Sequence, residues 1–106
     1  MTKAVFWIDK GDYIGFDISG HSGNAAMGKD IVCAAISAMT MLTVNTICEV
    51  YLQKATTTTD DKKAVITFKL EGRDKASVGL LKGFYDELVL LQKDYPKNLS
   101  IRAEKF

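Results

Sequence analysis

DIVCAAISAMTMLTVNTICEVYLQ, residues 30–53, contains neither proline nor glycine. Alanine, methionine, leucine and isoleucine recur through it, and these residues favour helix. Asp30 supplies a side chain suited to an N-cap. The stretch therefore reads as one long helix. Its uncharged part, residues 31–48, is eighteen residues long, the threshold length for a membrane span. Ser37, Thr40, Thr43, Asn45 and Thr46 lie inside it, however, and polar groups at that density argue for burial in protein rather than in lipid. The expectation is a central helix covered on several sides by sheet or by a partner subunit, with no membrane involved. An exposed apolar side of this helix is the candidate subunit contact.

The flanking segments have a different period. Residues 3–9 are rich in Val, Phe, Trp and Ile, residues 13–19 alternate polar with apolar, and Lys10-Gly11-Asp12 between them is turn chemistry. This predicts a β-hairpin ahead of the helix. Beyond the helix, residues 55–59 and 64–71 carry Thr and Val on either side of Asp60-Asp61-Lys62-Lys63, which predicts a second hairpin. Val78, Leu81, Phe84, Leu88 and Leu91 then recur every three or four residues, the spacing of an amphipathic helix. Tyr95-Pro96-Lys97-Asn98 ends it, and residues 99–103 alternate as a last strand. The order is ββαββαβ: a single α+β domain over residues 1–106, with a mostly antiparallel sheet packed against the long central helix and the second, amphipathic one.

Composition limits the function classes. The chain has 106 residues, 47% of them hydrophobic and 25% charged, with a formal charge of +1. So balanced a charge gives no global attraction to nucleic acid or to an anionic membrane. Charged residues come too early in MTKAVFWIDKGD for a signal peptide, so the expected location is cytoplasmic. On one helix Cys33 and Cys48 would stand roughly 22 Å apart, too far for a disulfide, whose Cα atoms lie within about 7 Å. Both are expected as reduced thiols.

Upstream of the helix, residues 20–37 read GHSGNAAMGKDIVCAAIS, with the chain's only histidine twelve residues before Cys33. Gly23 to Lys29 fits the GxxxxGK phosphate-loop spacing, but Asp30 stands where a Walker loop has Ser or Thr. A carboxylate there repels phosphate, and the hairpin order lacks the parallel βαβ setting. One histidine and two well-separated cysteines make no compact zinc site, so no metal and no cofactor are expected.

A cysteine nucleophile has more physical content. With Asp30 as N-cap, Cys33 falls in the first helical turn, where unpaired N–H groups and the helix dipole favour a thiolate and can hold an oxyanion. His21, across the glycine-containing loop, can serve as base and then as acid to the leaving amine. Ser37 lies one turn beyond Cys33 on the same face. Asp30, besides capping, can orient a protonated His21. Plain structural roles explain the same residues. A cysteine in an apolar helix packs well, His21 can sit in a turn, and Gly20, Gly23 and Gly28 can serve backbone geometry alone. Ser37 can bond the preceding turn.

The stretch Gly20-His21-Ser22-Gly23, Gly28, Asp30-Ile31-Val32-Cys33-Ala34-Ala35 and Ser37 resembles the Prp family, the ribosomal-processing cysteine proteases of bacteria. Leu80-Leu81-Lys82-Gly83-Phe84 and Tyr95-Pro96 are similar to that family's second helix and its end, so the resemblance covers essentially the whole chain. It implies an α+β fold, a homodimer, and removal of the N-terminal extension of large-subunit ribosomal protein L-twenty-seven after hydrophobic, often aromatic residues. It implies Cys33 as nucleophile, His21 as base, and Asp30 and Ser37 as supporting residues. The loop holding Gly20, Ser22, Gly23 and Gly28 would border the substrate, a ribosomal protein precursor. Asn24 and Ala26-Met27 stand where the family has an aromatic residue and a Glu-Tyr pair. Two other functions use the same residues: a non-catalytic module in ribosome assembly that binds a peptide or an anion, and an acyl-transfer or thioester enzyme.

Overall fold

The computed structural model describes residues 1–20 and 31–106. Strands β1 (Thr2–Asp9) and β2 (Asp12–Ser19) precede helix α1 (Ile31–Asn45), which runs on as a π-helical turn over Thr46–Val50. Strands β3 (Ala55–Asp60) and β4 (Val65–Leu70), helix α2 (Lys75–Asp94) and strand β5 (Leu99–Lys105) follow. The order is the expected ββαββαβ. In space the strands lie β3-β4-β2-β1-β5, antiparallel throughout except for β1 beside β5, which is parallel.

Local chemistry explains the hairpins. Lys10 and Gly11 both have positive φ, 52° and 87°, and form the two-residue loop between paired Asp9 and Asp12. That backbone has the twist of the strands it joins. One residue further into the pair, Trp7 lies opposite Gly15 and Ile8 opposite Tyr13. Ile14 is thereby the extra residue of a β-bulge, and it is completely buried.

Buried side chains of the central strands share one parity, hence one face of the sheet. Phe6, Phe16 and Phe68 are paired in register across β1, β2 and β4. Phe84 of α2 closes on this row, with ring centroids 5.4 Å from Phe6 and 5.3 Å from Phe16. Val32, Ile36, Val44 and Ile47 from α1 and its π turn join the same core. Both helices therefore cover a single face. On α2 the buried positions Ser77, Leu81, Phe84 and Leu88 follow the helical period. Asp74 caps its start by accepting from the Ser77 N–H at 3.0 Å, and the Tyr95 N–H bonds back to Leu91 O where Pro96 bars continuation.

The long helix departs from expectation at its C-terminal end. Regular α-helix ends at Asn45, and a wider turn carries the chain to Val50, with Tyr51 N–H donating to Thr46 O at 2.9 Å. Gln53 N–H then reaches Ile47 O while Leu52 takes a left-handed φ of 56°, so a helix expected to reach residue 53 stops without a glycine. By length and composition alone Ile31–Val50 would pass as a membrane span. Within this chain one side of it closes the core, whereas Ile31, Met41 and Leu42 on the other side are exposed. Two of its polar residues are satisfied inside the helix itself: Thr40 and Thr43 donate to the carbonyls of Ile36 and Met39, each at 2.7 Å.

Candidate active site

Cys33 lies half-buried in the first turn of α1. Early N–H groups of a helix have no acceptor within it, and with the helix dipole they stabilise negative charge close by. Successive residues turn about 100° round the axis. Ile36, Val32 and Thr43 occupy the core side; Cys33, Ser37 and Met41 form the next strip; Ala34, Ala38, Leu42 and Asn45 form the strip after that.

The strip bearing Cys33 faces a cavity of about 350 Å³. Ile36, Ser37, Thr40 and Met41 extend the helical wall from Cys33. Opposite are Ile18 and Ile66, paired across β2 and β4, and Thr59, paired with Ile66 across β3 and β4. Asp60, Asp61, Ala64 and Val65 border the cavity where β3 turns into β4, and Thr2 and Gly20 lie at its edge. The surface is predominantly apolar, with an acidic turn at one margin. Among the described residues, no three His, Cys, Asp or Glu side chains gather as a metal set.

Of the site residues expected from sequence, the fold brings Cys33, Ser37 and Gly20 round this one cavity. His21, Asp30, Ser22, Gly23 and Gly28 lie outside the described residues, as does the expected N-cap contact of Asp30. No disulfide joins Cys33 to Cys48, which sits in the π turn. The sequence reading missed the wall built from Thr59 to Ile66. The β2–β4 register places it here, with Val65 opposite Ser19 and the Gly20 N–H donating to Ala64 O at 3.0 Å.

Gly20 is where β2 hands the chain to the segment that begins with His21. Its φ is +86°, and a Cβ built on it would stand 2.6 Å from the Met1 carbonyl oxygen. Neither condition tolerates a side chain. Gly20→Ala is expected to cost about 1–3 kcal/mol of stability. Thermal unfolding checks this, and a wild-type melting temperature would contradict it.

Residues 1–100 match the family model described as cysteine protease Prp. No curated protein sequence matches the chain. Among solved structures, the essential ribosomal processing protease Prp from S. aureus, in complex with a covalently linked product peptide, superposes with a TM-score of 0.91 at 20% identity, covering 98% of this chain and 100% of that one. The same S. aureus protease in complex with a substrate peptide gives 0.86 at 19% identity, over 98% and 100%. SMU.848 from Streptococcus mutans gives 0.86 at 22% identity, over 100% and 96%. At these identities the likeness is one of fold. The family match takes in both hairpins, both helices and the helix start that presents Cys33 to the cavity, and on it the chain belongs to the Prp family of cysteine proteases.

Proposed function

We propose that this protein is a cytoplasmic cysteine endopeptidase that removes the N-terminal extension of ribosomal protein L-twenty-seven after a hydrophobic or aromatic residue. One observation carries the reading: in a chain of the cysteine protease Prp family, Cys33 lines an apolar cavity from the first turn of a helix. The S. aureus relatives hold a substrate peptide and a covalently linked product peptide, which supports a peptide as the ligand.

The chemistry runs as two acyl transfers. Cys33 Sγ, its proton taken by His21, attacks the carbonyl carbon of the scissile bond, and the first-turn amides of α1 hold the charge that develops on oxygen. Collapse breaks the C–N bond as His21 returns the proton to the leaving amine. A water deprotonated by His21 then attacks the thioester, releasing the carboxylate product and restoring the thiol. Asp30 and Ser37 support the pair from either side of the nucleophile in the chain. Gly20, Ser22, Gly23 and Gly28 are the residues assigned to border the peptide, and two acyl transfers by a thiol and an imidazole need neither metal nor cofactor.

The test is intact-mass spectrometry of the organism's own L-twenty-seven precursor after incubation with the protein, with Cys33→Ala in parallel. Loss of an N-terminal segment only with the native cysteine is the expected result. Complex formation without cleavage would replace the protease with a binding module.

The assembly proposed is a homodimer through the α1 strip formed by Ile31, Ala34, Ala38, Leu42 and Asn45. Ile31 and Leu42 are 60% and 65% exposed, and the two alanines let a second helix approach closely. Leu42→Asp places a charge in that contact. Sedimentation velocity is expected to show a dimer for the native protein and a monomer for the variant; a native monomer would refute the interface.

A further inference from the structure

Away from the cavity, two tyrosines stand ring to ring. Tyr13 is near the start of β2 and Tyr85 lies in the middle of α2. Their ring centroids are 5.1 Å apart and the ring planes are tilted by 46°. Both residues are half-buried, so packing holds the pair while solvent still reaches it. Phe6, completely buried, packs on Tyr85 with centroids 5.3 Å apart. Lys82, one turn earlier on α2, places its ammonium 5.6 and 5.7 Å from the two tyrosine centroids and is itself bonded to Asp86. Among the described residues no other two tyrosines make a ring contact. Neither Tyr13 nor Tyr85 lines the cavity, and Tyr13 lies about 20 Å along β2 from the Ser19 end, at 3.3 Å per residue.

Independently of the protease reading, we infer that Tyr13 and Tyr85 form an oxidative modification site, where a one-electron oxidant generated from peroxide joins the two rings as a dityrosine and ties β2 to α2. Each phenol gives up one electron and its hydroxyl proton, leaving two phenoxyl radicals. A carbon–carbon bond forms between one carbon ortho to each oxygen, and the hydrogen on each of those carbons moves to its own oxygen, restoring two phenols. Two hydrogens leave the protein; one molecule of hydrogen peroxide takes up the two electrons and two protons and becomes two waters. Rings joined in this way stand only slightly closer than these and keep a tilt about the new bond, so coupling asks for a small adjustment rather than refolding. A half-turn about χ2 exchanges the two ortho carbons of each ring. Radicals held side by side couple as a unimolecular event, which outruns encounter between separate molecules. Burial, and then the neighbouring Tyr85, hold the Tyr13 phenol above its ordinary pKa, so it reacts as the neutral phenol. The new bond closes a long loop of the unfolded chain and thereby favours the folded state.

The experiment treats the folded protein with a haem peroxidase and hydrogen peroxide. Dityrosine is followed by its blue fluorescence, and tryptic digests are read by tandem mass spectrometry. Trypsin places Tyr13 in the peptide of residues 11–29 and Tyr85 in that of residues 83–93. Expected is a species of single-chain mass in which these two peptides are joined with the loss of two hydrogens. Tyr13→Phe and Tyr85→Phe, which keep the ring and remove only the hydroxyl, should each lower its yield at least tenfold. Tyr51→Phe and Tyr95→Phe should leave it unchanged. The cross-linked chain should melt about 5 °C or more above the untreated protein, whereas Tyr85→Phe treated in the same way should show no rise. Dityrosine found only between chains, or joining other tyrosines, overturns the inference. So does a yield that survives in Tyr13→Phe, and so does a cross-link that leaves the melting temperature where it was, since the bond would then not tie the folded β2 to α2.

Discussion

Cys33→Ala is expected to lower kcat for precursor cleavage by about a thousandfold or more, the scale on which catalytic units respond to loss of their nucleophile, while leaving the folded state essentially unchanged. Alanine cannot form the thioester, and the chain's other thiol, Cys48, lies some four turns along the same helical segment and does not line the cavity. The fold has little reason to respond. Cys33 is only half-buried, alanine is the best helix former, and the nearby core positions Val32 and Ile36 are retained. A melting temperature near that of the native protein together with absent turnover is therefore the signature. Cys48→Ala, which also removes one half-buried thiol, is expected to keep its activity. If Cys33→Ala still cleaved at an appreciable rate, the nucleophile would be another group and the mechanism above would fail.

Phe16→Ala acts on the other half of the problem. Phe16 is completely buried and touches three other rings, with centroids 5.6 Å from Phe6, 5.5 Å from Phe68 and 5.3 Å from Phe84. Its removal takes out the middle of the row that joins β1, β2 and β4 to α2. Phenylalanine-to-alanine changes at such sites cost about 3–5 kcal/mol, part lost transfer energy and part the cavity left behind. Domains of this size are stable by about 5–15 kcal/mol in total, so roughly a fifth or more of the stability goes. Urea titration is expected to show the midpoint falling with little change in slope. A loss below about 1 kcal/mol would mean that the aromatic row is not the continuous core described.

Much of this fold is legible from local chemistry. Lys10-Gly11 and the Asp60 to Lys63 run announce their turns, and the spacing of Leu81, Phe84 and Leu88 identifies the buried face of α2. Pairing between distant segments is another matter. The alternation in residues 99–103 says that a strand is there and nothing about its neighbour; that β5 lies parallel to β1, Thr2 beside Leu99, follows from the folded register. The site divides along the same line. Cys33 and Ser37 are one helical turn apart, so their shared strip follows from period alone. The wall from Thr59 to Ile66 depends on β4 pairing with β2, a contact over more than forty residues that no short window contains. Leu52 shows a third limit. No glycine marks the end of the long helix, because the stop is made by a leucine held at positive φ while the Gln53 N–H bonds back to Ile47.

The parallel pairing of β1 with β5 also decides how the protein can be handled. Parallel neighbours start at the same edge of a sheet, so the beginning of β1 and the end of β5 lie at opposite edges, about 20 Å apart at 3.3 Å per residue. Thr2 lines the cavity and the Met1 carbonyl packs against Gly20. An affinity tag or fluorescent partner fused ahead of Met1 would therefore emerge at the mouth of the cavity, where it competes with substrate for space. The same label attached after Phe106 leaves from the far edge, clear of Cys33, and is the placement for immobilisation or for reporting on peptide capture.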